Sequence, residues 1–231
     1  ASSNQHVLAA LSQYQNEDGG FGHGIEADLR TQKSTVIATT IGLQILNSVD
    51  GLNSTIADKA RQYLLDNSTS DGWQAIHSEA NDAAHAPWWR YDGEQTGFHP
   101  NPSVEVLTYL LEDETREHEA KSLLQCALDY LQQSPLEMHE LLCFVKLYEC
   151  RALTKADRMK MLPHLLCNGF RLVNGERKDW EEYCLTPLSV VTHPGSIFAE
   201  FFADVLPTNF SYLIDSQNTD GSWHPAWSWA G

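Results

Sequence analysis

The chain has 231 residues and a formal net charge of −16, from 31 acidic and 15 basic residues. This length is sufficient for a substantial hydrophobic core. No Pro/Ser-rich linker or shift of composition divides the chain, so we expect a single domain over residues 1–231. The acidic balance argues against nucleic acid or an anionic membrane surface as a partner, because both require clustered lysine and arginine.

Cysteine usage and hydropathy bear on where the protein works. The five cysteines are odd in number and lie in apolar segments with helical periodicity, which is typical of reduced core residues and not of a disulfide framework. No apolar run reaches the roughly 20 residues of a membrane span, and no signal peptide is recognisable. We therefore expect a cytoplasmic protein with no transmembrane segment.

Apolar residues recur three or four positions apart in nearly every periodic segment, which is the helical period. We predict helices over residues 5–15, 33–48, 54–66, 102–112, 117–133, 136–150, 155–167, 187–204 and 207–217. Ser54 and Thr154 are suitable N-caps for two of these helices. Alternating patterns typical of strands are short or missing, so the sequence predicts an all-α fold.

The connections between these helices contain a repeated turn. Residues 15–21 read Gln-Asn-Glu-Asp-Gly-Gly-Phe, and residues 217–223 read Gln-Asn-Thr-Asp-Gly-Ser-Trp, with a partial copy at residues 66–73. Asp71 follows Asp18 by 53 residues, and Asp220 follows Asp71 by 149, close to three further steps of similar length. This period predicts a repeat of helix pairs, each closed by a glycine turn whose aromatic residue packs back on the helices. Such pairs must stack, either as an open solenoid or as a closed ring.

These turns carry a resemblance to a known superfamily. Gln217, Gly221 and Trp223, and with phenylalanine Gln15, Gly19 and Phe21, resemble the QW-type repeat of terpene cyclases. The Asp-Gly-Gly-Phe turn, and residues 24–30 after it, resemble the corresponding stretch of protein prenyltransferase β subunits. The resemblance implies an α/α toroid whose helices surround an aromatic central cavity. A full ring of such units would need more than 231 residues, so we expect a small or incomplete one.

The catalytic motifs of that superfamily are absent. The prenyltransferases' Asp-x-Cys-Tyr zinc element is missing, and residues 179–184 offer only a nearby carboxylate and thiol. The cyclases' Asp-x-Asp-Asp motif is only echoed by Glu26 and Asp28. Four histidines stand near prolines in loops but match no local metal-binding spacing: they are His85, His99, His193 and His224. No metal or other cofactor is predicted.

The candidate catalytic residues follow the first glycine turn. Glu26 and Asp28 lie two positions apart, with His23 before them and Arg30 after them. If both carboxylates face a dry cavity, they cannot both ionise easily, so one would hold a proton and act as a general acid while Arg30 fixes their position. The competing interpretation is a structural ion pair between Asp28 and Arg30 that caps helices.

The candidate binding residues are mostly aromatic and lie in loops. The connection over residues 66–102 is too long for an idle loop, and connections of this length are often binding loops. Indole faces suit an isoprenoid, a carbocation or a sugar ring, whereas ordinary core packing is the alternative. The candidate substrate-binding residues are His85, Trp88, Trp89, Tyr91, His99, Trp223 and Trp227.

Three functions remain open from the sequence. The first is acid-initiated or electrostatically guided chemistry on a small, apolar, isoprenoid-like ligand held in an aromatic cavity, as in a prenyltransferase or terpene cyclase. The second is a carbohydrate-active helical barrel, either a lyase or a glycosidase, that uses the same carboxylates. The third is a binding module without catalysis, since a fold does not dictate an activity. Aromatic walls would favour the first, a polar open groove the second and a filled centre the third.

Overall fold

The structure is a computed structural model that describes residues 3–93, 96–113 and 115–225. Nine α-helices lie in these ranges: α1 (Ser3–Leu11), α2 (Val36–Ser48), α3 (Thr55–Asp66), α4 (Pro100–Leu111), α5 (Glu117–Gln133), α6 (Met138–Glu149), α7 (Lys155–Leu172), α8 (Pro187–Val190) and α9 (Leu206–Asp215). The same ranges contain no β-strand, only isolated bridges between loops. The all-α prediction is confirmed. None of the described helices is both long and apolar enough to cross a membrane.

The contacts group the chain into two compact units. The first unit covers residues up to 127, and the second begins at residue 128, within α5. No change of composition marks this boundary, which is why the sequence pattern did not indicate it. The single domain and the toroidal ring both stay predictions.

The first unit is built around α2, α3 and α4. Leu43 of α2, Leu64 of α3 and Leu107 of α4 are fully buried, as expected for helices that pack along one apolar stripe. Two of these helices begin with a side-chain cap: Thr35 accepts a hydrogen bond from an amide of α2, and Ser54 does the same for α3. The caps therefore mark where α2 and α3 start, and the apolar stripe marks the face that each helix buries.

The second unit packs α6 against α7 and α8 against α9. Leu141, Phe144 and Val145 of α6 are buried, as expected for a helix that packs along one apolar stripe. Thr154 caps α7 through the amide of Asp157 at 3.1 Å, as its position in the sequence indicates.

The predicted helix over residues 187–204 is wrong. The helix that begins at Pro187 ends at Val190, and turns occupy most of the next 15 residues. The sequence explains this ending, because His193-Pro194-Gly195 follows. Proline lacks the amide that a helix needs and disfavours helical geometry in the residue before it. The apolar spacing alone did not reveal the break.

The first glycine turn is closed by side chains at both of its ends. The side-chain amide of Gln15 donates to the Gly19 carbonyl at 2.8 Å, and the amide of Gly20 donates to Asp18 Oδ1 at 2.9 Å. Gly19 has φ of +89°, in the left-handed region that favours glycine. Each residue type of the repeated pattern thus has a defined role in the turn.

The last glycine turn has the same geometry. Gln217 donates to the Gly221 carbonyl at 2.9 Å, the amide of Ser222 donates to Asp220 Oδ1 at 3.0 Å, and Gly221 has φ of +87°. Two stretches separated by most of the chain therefore fold into the same turn. The predicted repetition of the turn is confirmed at these two positions.

The aromatic residue of each turn in the first unit is anchored to the helix that follows it. The amide of Phe21 donates to Thr39 Oγ1 on α2 at 3.0 Å. The amide of Trp73 donates in the same way to Ser103 Oγ on α4 at 2.9 Å. Both side chains are buried, as the repeat predicted.

The indoles also bond to the helix that precedes them. Trp73 Nε1 donates to the Leu64 carbonyl at 2.6 Å, and Trp223 Nε1 donates to the Leu213 carbonyl at 2.7 Å. Leu64 and Leu213 lie in the last turns of α3 and α9, where carbonyls have no partner within the helix. Tryptophan in this motif is therefore a C-terminal cap as well as a hydrophobic group.

Alanine substitution of the two matched glycines should separate backbone strain from steric overlap. Gly221→Ala should cost about 1–2 kcal/mol, the cost of placing a Cβ in the left-handed region, since the nearest atom would be 3.9 Å away. Gly19→Ala should cost about 1–3 kcal/mol more, because its Cβ would overlap the carbonyl oxygen of Lys59. Denaturant unfolding measures both, and equal losses would contradict the tight packing of the first turn.

Removing the hydroxyl that anchors Phe21 should also destabilise the first unit. Thr39→Val leaves the buried amide of Phe21 without an acceptor and should lower the free energy of unfolding by about 1–3 kcal/mol. The matched control is Thr40→Val, because the hydroxyl of Thr40 is also on α2 but only donates to the Ile37 carbonyl of its own helix. A control loss as large as that of Thr39→Val would show that the anchor contributes nothing special.

Candidate functional site

Two clusters that the sequence singled out separately lie side by side. We call residues 26–30 the carboxylate turn and residues 84–91 the tryptophan loop. The amide of Ala86 donates to the Asp28 carbonyl at 2.8 Å, and the amide of Arg30 donates to the Ala84 carbonyl at 2.9 Å. These bonds form an antiparallel bridge between Leu29 and His85. The backbone itself thus joins the candidate acids to the candidate binding loop.

A small apolar cluster stabilises the pairing of the carboxylate turn with the tryptophan loop. Leu29 is buried in a small cluster with Ile76 and Ala80, and Trp89 and Tyr91 pack against that cluster. The far end of the tryptophan loop is tied down by Asn81, whose side chain both donates to and accepts from the backbone of Tyr91 at 2.8 Å. Trp89 and Tyr91 are therefore partly core residues, as the competing interpretation of the aromatics predicted.

Glu26 is the titratable group most affected by this environment. Partial burial raises the pKa of its carboxyl above the ordinary glutamate value, and the charge of Asp28 raises it further. The Asp28 amide opposes this shift by donating to Glu26 Oε1 at 3.2 Å. Asp28 itself is buried and forms no ion pair with any residue that the structure describes. Glu26 consequently keeps its proton to a higher pH than an exposed glutamate would.

The two indoles of the tryptophan loop differ in what they offer. Trp89 Nε1 is buried, and among the described residues no acceptor meets the geometry of a normal hydrogen bond to it. The indole N–H is nevertheless close enough to Glu26 to favour the ionised form of that carboxyl. Trp88 is 57% exposed, which is high for so large an apolar side chain. The site thus presents a buried indole N–H close to Glu26 and an open aromatic face.

Two of the predicted catalytic residues do not engage the carboxylates. Arg30 is exposed, and in the described part of the chain it forms no ion pair with Glu26 or Asp28, so neither the fixing role nor the structural ion pair is seen. Arg30 contributes to the site through its backbone amide, which donates to the Ala84 carbonyl. The imidazole of His23 is exposed and bonds to Asn16 Oδ1 at 2.9 Å.

The remaining predicted binding residues have their own local partners. His85 Nδ1 bonds to the Ala83 carbonyl at 2.7 Å, and the ring of His99 bonds to the Thr96 carbonyl at 3.3 Å. Trp223 belongs to the second unit, where its indole caps α9. Trp227 lies outside the described residues. No group of three or more metal-ligating side chains is arranged to hold an ion within the described ranges.

The first unit also contains a polar cleft that sequence reasoning missed. Its volume is about 460 Å³, and its lining residues are Asp18, Lys33, Ser34, Thr35, Tyr63, Asp66, Asn67, His77, Glu79 and Ala80. Ala80 lines this cleft and also belongs to the apolar cluster around Leu29. His77 and Glu79 lie in the long connection that the sequence marked as a binding loop, whereas Tyr63 lies in the helix predicted over residues 54–66.

Comparison with known proteins finds no relative. No protein family, no curated protein and no solved structure matches this chain.

The raised pKa of Glu26 predicts a pH-dependent effect of Glu26→Gln on stability. Because the folded pKa lies above the unfolded one, the folded state binds more protons between the two values, and the free energy of unfolding contributed by Glu26 falls as pH rises through them. Glu26→Gln has no titrating carboxyl at this position, so its free energy of unfolding does not fall for this reason. Its melting temperature relative to the wild type should therefore rise between about pH 4 and about pH 7.

The matched control is Glu17→Gln, which removes the same charge from an exposed position on the preceding turn. Its melting temperature should follow that of the wild type across the same pH range. Parallel curves for Glu26→Gln and the wild type would contradict the burial of the Glu26 carboxyl.

Proposed function

We propose that the carboxylate turn and the tryptophan loop form the catalytic site of a carbohydrate-active enzyme in which Glu26 is the general acid. One observation carries this proposal: backbone pairing places a glutamate of raised pKa next to a loop with an exposed indole. Cleavage of a glycosidic bond usually requires a pair of carboxyl groups, one of which is a general acid of raised pKa, and an exposed indole provides a face on which a sugar ring can stack.

The direction of the pKa shift bears on which atom receives the proton. A carboxylic acid of raised pKa is a weaker acid than ordinary glutamic acid, whereas protonating a carbon–carbon double bond demands a stronger one. Protonation of a leaving oxygen proceeds best from an acid that is still protonated near the working pH. The raised pKa of Glu26 therefore favours chemistry at oxygen over alkene protonation.

The surroundings favour an uncharged, ring-shaped ligand. The exposed face of Trp88 suits stacking on a sugar ring. The net charge of −16 disfavours an anionic substrate such as a diphosphate ester or a uronate. Among carbohydrate-active enzymes, a glycosidase therefore fits better than a lyase.

The proposed reaction uses both carboxyl groups. Glu26 donates its proton to the glycosidic oxygen as the bond from that oxygen to the anomeric carbon breaks. A water molecule adds to the anomeric carbon and passes a proton to the carboxylate of Asp28. Asp28 is suited to this role because it is buried beside Glu26 and forms no ion pair with a described residue.

A second candidate is an isoprenoid-like ligand. It is supported by the apolar cluster beneath the tryptophan loop and by the repeated turns, which resemble those of terpene cyclases. In this alternative, the indole of Trp88 would shield a developing carbocation through its π face.

The test of the proposed function compares leaving groups. Wild-type protein should hydrolyse neutral glycosides, and Glu26→Gln should lower kcat/KM by about 10²–10⁴-fold for an alkyl leaving group. The loss should be much smaller for a nitrophenyl leaving group, because nitrophenolate departs without protonation. Glu17→Gln, which removes an exposed charge, should leave both rates unchanged.

Thermal-shift measurements with neutral oligosaccharides and with prenyl diphosphates discriminate between the two candidates. The carbohydrate proposal expects an oligosaccharide to raise the melting temperature of the wild type. If prenyl compounds raise it and no oligosaccharide does, the carbohydrate proposal is abandoned in favour of the second candidate.

A further inference from the structure

The polar cleft of the first unit contains a buried tyrosine whose hydroxyl is not used by the fold. Tyr63 is only 5% exposed, its ring packs against Gly20 of the first glycine turn, and it lines the cleft. Its hydroxyl makes no hydrogen bond to any residue in the described ranges. The hydroxyl oxygen is not fully enclosed, so it is open to the cleft, where a ligand or an ordered water can bond to it.

A second polar group in the same wall is also unsatisfied. The Nε2 atom of His77 is buried and has no hydrogen-bond partner among the described residues. Both groups belong to the side of the cleft formed by α3 and by the connection that follows it. The fold therefore leaves the Tyr63 hydroxyl and the His77 ring nitrogen without a described protein partner at one place, and the buried nitrogen costs stability unless something binds to it.

The charges around these groups are mostly negative. Asp18, Asp66 and Glu79 line the cleft, and Lys33 is the basic residue of the same lining. A hydrogen bond from its own backbone amide lowers the pKa of Glu79, and Ser78, His77 and Lys33 also favour its charged form, so this carboxylate is ionised.

The negative charges also affect Tyr63. Burial raises the pKa of its hydroxyl, and the charges of Asp18 and Glu79 raise it further, so the hydroxyl remains protonated at neutral pH. The cleft thus presents carboxylate oxygens and a neutral hydroxyl oxygen, all of which accept hydrogen bonds.

A protonated amine matches this lining. An ammonium group has three hydrogen-bond donors and no acceptor, and its charge is opposite to that of the lining carboxylates. The described residues include no metal-binding group of three side chains, which favours an organic cation over a metal ion. The volume of about 460 Å³ lies within the usual range for small-molecule sites.

We propose that this cleft binds a small organic cation with a protonated primary amine, which donates hydrogen bonds to the Tyr63 hydroxyl and to the carboxylates of Glu79 and Asp66. The proposal is independent of the catalytic role of Glu26, because neither the carboxylate turn nor the indoles of the tryptophan loop line the cleft.

Three molecules of matched length test the proposal by calorimetry at low ionic strength. We expect 1,4-diaminobutane to bind the wild-type protein saturably, with butane-1,4-diol and succinate at least about tenfold weaker. Tyr63→Phe keeps the ring packing and removes only the hydroxyl, and Glu79→Gln removes one lining charge at an exposed position. Each variant should weaken diamine binding about five- to tenfold.

The control variant is Glu112→Gln, which removes the same charge from an exposed position at the end of α4, outside the cleft lining. It should bind the diamine as the wild type does. An equal loss in Glu112→Gln and Glu79→Gln would overturn the proposal, because the amine would then respond only to the overall negative charge. Absence of saturable diamine binding, or tighter binding of the diol or succinate, would overturn it as well.

Discussion

The hydrogen bond from the amide of a turn's aromatic residue to a hydroxyl on the next helix organises the first unit. Phe21 uses Thr39 in this way, and Trp73 uses Ser103. A buried amide must find a partner, so each pairing fixes the position of a turn on the helix that follows it. The ring of Tyr63 packs against the first of these turns, at Gly20.

The candidate site depends on a second backbone constraint. Residues 28–30 and 84–86 belong to no helix, so their amides and carbonyls cannot be satisfied within a regular element. Two hydrogen bonds between the segments satisfy the amides of Ala86 and Arg30, and they bring the carboxylate turn against the tryptophan loop. The irregular backbone is therefore the reason why the acid and the aromatic residues meet.

Two glutamates of the first unit show how environment assigns different roles to one residue type. Partial burial raises the pKa of Glu26, which suits the proton-donor role proposed for it, whereas hydrogen bonds to the charged form lower the pKa of Glu79, which therefore stays ionised. Both lie in an acidic chain, so net charge alone does not distinguish them. The proposed general acid and the proposed cation site thus differ in the surroundings of their glutamates and not in residue type.

The sequence by itself determined the features that depend on neighbours along the chain. Helical spacing, the caps Ser54 and Thr154 and the repeated glycine turns are local, so they could be identified without the fold. The sequence also identified the carboxylate turn and the tryptophan loop as candidate functional segments, but it did not show that they are adjacent. Only the tertiary structure decided that Leu29 pairs with His85 and that Tyr63 opens onto a cleft. Contacts between irregular segments follow from which polar groups folding leaves unpaired, and no periodic pattern in the sequence encodes them.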